Sequence, residues 1–108
     1  MTDLDPPAAT WMLEIVRVRC HGATVEAAEA GLRELLAEPG DHMARLVRSA
    51  TAPHDLALLL RSRCPRARPP VASALGQRVA ASLRDFGPVS HGLWIEIAAT
   101  PSVRKEMP

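Results

Sequence analysis

Of the side chains in this sequence, His91 is the best suited to accept a proton near neutrality, where an unperturbed imidazole titrates. It falls where a predicted second helix returns to a predicted last strand, and there it could bind or deprotonate a phenolic substrate. The plainer reading is a loop histidine bonded to a backbone carbonyl or to water. His21, His42 and His54 fall in predicted turns without a second ligand at metal spacing, so no metal site is expected. Trp11 and Trp94 offer large π surfaces that could stack on an aromatic ligand, or anchor a subunit interface. Arg61, Arg63, Arg66 and Arg68 could attract a carboxylate, a phosphate or an acidic partner, or simply solvate a loop. The candidate catalytic residue is therefore His91, and the candidate substrate-binding residues are Arg63, Trp94 and Trp11.

Other constellations carry less. The run His21-Gly22-Ala23-Thr24 before a helix could offer first-turn amides to an anion, but it lacks a glycine-rich phosphate loop. Ser62 and Ser90 have no evident His/Asp relay. The net charge of +1 gives no global pull towards nucleic acid or anionic membrane. No apolar run approaches the roughly 18 residues of a membrane span. The first ten residues, MTDLDPPAAT, lack the basic and apolar regions of a signal peptide, so a cytoplasmic location is expected.

The elements that must position these groups are legible from periodicity. At 108 residues, 47% of them hydrophobic, the chain is long and apolar enough for one domain with one core. WMLEIVRVRC, residues 11–20, is rich in β-branched and large apolar side chains and reads as a strand. Thr24 is placed to cap a helix whose stripe is Val25, Ala28, Leu32, Leu35 and Leu36, with Pro39-Gly40 as its stop. MARLVRSA (43–50) and DLALLLR (55–61) are read as strands joined across Thr51-Ala52-Pro53-His54; an all-helical middle competes, because short apolar runs do not fix their own period. SRCPRARPPVA (62–72) reads as a proline-rich loop. Ser73 then caps a helix carrying Leu75, Val79, Leu83 and Phe86 on one side, and Gly87, in a left-handed conformation, with Pro88 ends it. Leu93, Ile95 and Ile97 alternate with Trp94 and Glu96 as a last strand.

The order β-α-β-β-α-β predicts an α+β, ferredoxin-like sandwich, with both helices on one face of a four-stranded antiparallel sheet. The domain is expected over residues 11–99, between a flexible leader (1–10) and a flexible tail (100–108). In DLALLLR both alternating rows are apolar, so both faces of that strand should be covered. Two helices cover one face. A second copy of the chain is the expected cover for the other, giving a homodimer through the sheet. An RNA-binding use of the same topology would want aromatic residues on the third strand, which has none. Cys20 and Cys64 are too few for a disulfide framework. With the first and third strands taken as parallel neighbours, the two thiols are expected within one or two side chains of each other, reduced in the cytoplasm but able to bridge.

WMLEIVRVRC, the Leu-rich helix, DLALLLRSR and SALGQRVAASL, in this order over residues 11–98, resemble the antibiotic biosynthesis monooxygenase-like domains of the dimeric α+β barrel superfamily. The resemblance implies two sheets paired face to face, with a pocket between sheet and helices in each subunit. It also implies, for some members, oxidation of phenols or quinols without metal or flavin, so no cofactor is expected. Haem-degrading relatives use an Asn on the first strand, a Trp near the end of the third and a His on the second helix. This chain has no Asn, carries Ser62 near the Trp position, and has no His in residues 73–86, which disfavours haem degradation. It also has no Tyr to serve as a phenolic acid. Two functions survive: a small-molecule site, as in a cofactor-free monooxygenase for a phenol or quinol, and a non-catalytic homodimeric binding or interaction module on the same scaffold.

Overall fold

The computed structural model describes residues 9–37, 43–65 and 67–97. The first eight residues, the Pro39-Gly40 stop and the expected tail lie outside the described residues. The elements are β1 (Ala9–Arg19), α1 (Val25–Leu36) after a single 3-10 turn at Gly22–Thr24, β2 (Met43–Arg48), β3 (Asp55–Pro65), α2 (Ala74–Leu83) and β4 (Val89–Ile95). The strands form one sheet in the order β2-β3-β1-β4, with every neighbouring pair antiparallel. The expected ferredoxin-like order holds, and the ambiguous middle is strand, because β2 and β3 pair with each other and β3 pairs with β1 along its full length.

One row of each strand faces the helices. On β1 these are Met12, Glu14, Val16 and Val18; on β3 they are Leu56, Leu58, Leu60 and Cys64, all buried. Val25, Ala28 and Leu32 of α1 and Val79, Ala80 and Leu83 of α2 close over Val16, Val18 and the three leucines as one core. Both helices therefore lie on the same face of the sheet. Removing one such fully buried leucine, Leu58 for example, typically costs about 2–5 kcal/mol. Ion pairs tie the edges. Glu29 of α1 accepts from Arg33 and from Arg48 of β2, which holds its carboxyl below the usual range. Arg19 and Asp55 pair across β1 and β3, and the hydrogen bond from Arg19 likewise holds the Asp55 carboxyl low.

Several local expectations are corrected. Thr24 does not cap α1: its hydroxyl donates back to the His21 carbonyl at 2.7 Å, closing the 3-10 turn instead. Residues 62–65 are strand rather than loop, since β3 runs to Pro65 and pairs with the beginning of β1 as far as Ala9. Gly87 is not a left-handed helix cap. At φ 158° it lies against β1, where a Cβ would stand 1.9 Å from the Arg19 carbonyl oxygen.

The expectation for the cysteines also fails. β1 and β3 are antiparallel, so Cys64 lies opposite Thr10 while Cys20 follows the far end of β1. At about 3.3 Å of rise per residue, the two thiols are roughly 30 Å apart. Both are free and buried, and burial pushes the Cys20 thiol pKa up.

Candidate functional site

The helix-facing row of β1 contains one ionisable side chain. Glu14, 1% exposed, sits between Met12 and Val16 on a central strand. A buried carboxylate must find hydrogen-bond donors, since its desolvation is otherwise uncompensated. The N-terminus of α2 supplies them. Ser73 caps this helix as its sequence position predicts, accepting from the Gly76 amide at 2.9 Å. The same hydroxyl donates to Glu14 Oε1 at 2.7 Å, and the Ser73 amide donates to both carboxylate oxygens at 3.2 and 3.3 Å. The carboxylate thus lies at the positive end of α2, where negative charge is favoured. Gly76 makes this approach feasible: a Cβ there would fall 1.9 Å from Glu14 Oε2.

His91 completes the group. It lies within β4 rather than before it, opposite Val16, and so faces the helix side. Its Nε2 is 2.5 Å from Glu14 Oε2, and its side chain is 21% exposed. Further along the same row of β4, Leu93 and Ile95 are 37% and 41% exposed, leaving an apolar wall beside the imidazole. A carboxylate-held, partly accessible imidazole next to apolar surface can bind a hydroxyl-bearing aromatic and take its proton.

The other three predicted residues do not join it. Trp11 and Trp94 alternate with Met12 and Leu93, and Arg63 with Cys64, which puts all three on the sheet face away from the helices. There Arg61 and Arg63 lie over the Trp11 ring, their guanidinium carbons 4.0 and 4.9 Å from its centroid. The Trp94 indole extends over Gly92, where a Cβ would meet Nε1 at 3.1 Å. Strand alternation therefore points the His91 ring away from Arg63, Trp94 and Trp11; His91 and Trp94 line one hollow of about 270 Å³, and one site containing all four is not formed. His21 and His54 sit in turns near the far end of β1, where their backbones pair with Phe86 and Cys20. Among the described residues no three His, Cys, Asp or Glu side chains converge in a metal-binding group.

Glu14, Ser73 and Gly76 are the site residues that sequence reasoning missed or undervalued. The signal for Glu14 was present: in MLEIVRV it occupies a core-facing position between Met12 and Val16. Ser73→Ala removes both the helix cap and the hydroxyl donor to a buried carboxylate. It is expected to cost about 2 kcal/mol in urea unfolding. A loss of a few tenths would mean that neither bond contributes.

No protein-family model matches this chain, and no curated protein matches it in sequence. Solved structures do match. A Chloroflexus aurantiacus protein assigned to the antibiotic biosynthesis monooxygenases is 13% identical over 85% of this chain and 98% of its own, with a TM-score of 0.58. A Nitrosomonas europaea protein with the same assignment is 16% identical over 86% and 96%, at 0.59. SnoaB, a cofactor-independent oxygenase from Streptomyces nogalater, is 18% identical over 89% and 99%, at 0.53. Structural similarity over 85–89% of this chain and 96–99% of these proteins settles the architecture: this chain has the ferredoxin-like fold of the antibiotic biosynthesis monooxygenase-like domains.

Proposed function

We propose that the protein is a homodimeric small-molecule-binding protein that acts as a cofactor-free monooxygenase on a phenol or quinol, with His91 as the base. The observation that carries this reading is the imidazole held by buried Glu14 and left partly open beside Leu93 and Ile95. Similarity of fold to a cofactor-independent oxygenase supports it by analogy. In the chemistry envisaged, the phenolic proton passes to His91 and the electron-rich phenolate reacts with dioxygen from solution. A ring-carbon hydroperoxide forms, and loss of water from it leaves a quinone, so one oxygen atom is retained and the other leaves as water. The protein need supply only a base, orientation and exclusion of water.

A hollow of about 590 Å³, lined by Thr10, Cys64, Arg68, Pro70 and Ile95 among others, opens at the end of the sheet where β1 begins. Ile95 is shared between it and the apolar row leading to His91, roughly 13 Å away at strand rise. Polycyclic phenols have the length to span that row. A thermal-shift screen with quinols, polyphenols and haem, followed by oxygen uptake on each hit, tests the proposal. His91→Gln should abolish uptake while the fold is retained. A hollow of about 270 Å³ is lined by His91 with Ile15, Arg17 and Trp94, whereas the hollows beside Ile95 and between α1 and β2 are lined by neither His91 nor Arg63. Should no compound stabilise the protein or consume oxygen, the second reading, a non-catalytic module, takes its place.

The homodimer rests on the uncovered sheet face. Leu13, Ile15, Ala57 and Leu59 are only half-covered there, and Met43, Val47 and Trp94 are exposed. Apolar rows on two central strands with arginines at the rim fit a second copy of the same face better than water. Light scattering at tens of micromolar should return twice the chain mass, and Leu59→Asp should return the chain mass. A monomer in the unsubstituted protein removes the dimer.

A further inference from the structure

We propose that Glu14 is the positioning residue for His91, fixing the ring as an Nε2–H donor so that Nδ1 is the proton acceptor. The proposal rests on the reading of His91 as the base. Three observations carry it. First, Glu14 is a buried acid in an otherwise apolar row, where leucine or methionine would fill the core without the cost of desolvating a charge. Second, its position is set independently of His91. It stands on a central strand, and a backbone amide and a capping hydroxyl of α2 hold both its oxygens from the other side. Third, His91 stands on an edge strand, and the contact with Glu14 Oε2 is the one hydrogen bond to its ring among the described residues.

The consequence for the imidazole follows from its donor inventory. A neutral ring has one N–H and one lone pair, and an acceptor-only carboxylate takes the N–H. Nε2 therefore carries the hydrogen and Nδ1 the lone pair. When a phenol approaches, its O–H bond breaks, the electron pair stays on oxygen, and the proton forms an N–H bond at Nδ1. The resulting imidazolium is countered by the Glu14 carboxylate at 2.5 Å. Glutamine at position 14 preserves the shape and supplies no countercharge.

Long-range ¹H–¹⁵N spectra of the uniformly labelled full chain test this without a substrate. The expected result is a His91 ring in the Nε2–H form, with its N–H exchanging on the order of tenfold more slowly than those of His21 and His54. In E14Q that protection should be lost while the circular dichroism spectrum is retained. A His91 ring proton that exchanges as fast as that of His54, or an Nδ1–H form, overturns the proposal. So does protection that survives E14Q. The spectrum of the unsubstituted protein decides the matter even where E14Q does not fold. Activity then separates the two layers. On a phenol that the protein oxidises, E14Q should lower kcat about 100-fold with KM within about twofold. Equal turnover by E14Q overturns the role of Glu14 and leaves the oxygenase standing. A protected ring proton without oxygen uptake on any phenol upholds the geometry and removes the oxygenase.

Discussion

Gly87→Ala is expected to remove about 3 kcal/mol or more of folding stability. The new Cβ would lie 1.9 Å from the Arg19 carbonyl oxygen, 2.9 Å from its carbon and 3.3 Å from the Cys20 Cα. All three are backbone atoms, so no side chain can swing aside. The strand that would have to yield is β1, which pairs with β3 on one side and β4 on the other. Retreat of residue 87 is equally costly. The neighbouring Phe86 and Pro88 carbonyls accept from the His21 and Arg19 amides, and Val89 is already paired with Val18. At φ 158° an L side chain is strained as well. A domain of this size has about 5–15 kcal/mol to lose, and each kcal/mol lowers Tm by about 4–8 °C. Thermal unfolding should therefore drop by more than 10 °C. A shift of one or two degrees would mean that the close approach of the two backbones is not real.

Gly76→Ala should cost about 3 kcal/mol for a different reason, one that a second substitution can expose. Here the added methyl meets a side chain, the Glu14 carboxylate, at 1.9 and 3.0 Å from its oxygens. A carboxylate at the end of a glutamate would ordinarily move cheaply. This one is held by Ser73 and His91, and leaving them strands a buried charge whose hydrogen bonds are each worth about 1.5–3 kcal/mol. With Glu14→Ala in place the obstruction is gone. Only helix propensity then remains, favouring alanine over glycine by up to about 1 kcal/mol. The same Gly76→Ala change should thus destabilise the parent and stabilise the E14A protein, with a coupling of about 3–4 kcal/mol across the four proteins in urea. Equal costs in both backgrounds would show that Gly76 is not there to admit the carboxylate.

Local grammar carried much of the architecture. Ser73 followed by the Leu75, Val79 and Leu83 stripe announced α2 and its cap, and the alternation of Leu56, Leu58 and Leu60 announced a strand with a buried row. The misplacements have physical causes. Residues 62–65 looked like loop because polar residues interrupt the apolar run. In the sheet they are ordinary alternation, with Arg61 and Arg63 over Trp11 and Cys64 inward. Cys20 and Cys64 were placed together because strand direction was misjudged, and a reversed strand sends its ends apart. The site was half legible. His91 was chosen on chemistry, and its ring lies on the helix side against Glu14. Glu14 lies 59 residues from Ser73 and 77 from His91, and no local pattern reports such a meeting. Trp11, Trp94 and Arg63 satisfied the same chemical logic and were turned away from the His91 ring by the parity of their strands alone.

That parity makes the protein optically one-sided. Its two tryptophans both stand on the face away from the helices, one beneath a pair of guanidinium groups and one along Gly92, and there is no tyrosine. Emission excited in the indole band therefore reports on whatever covers that face, and on dilution it follows the gain or loss of that cover.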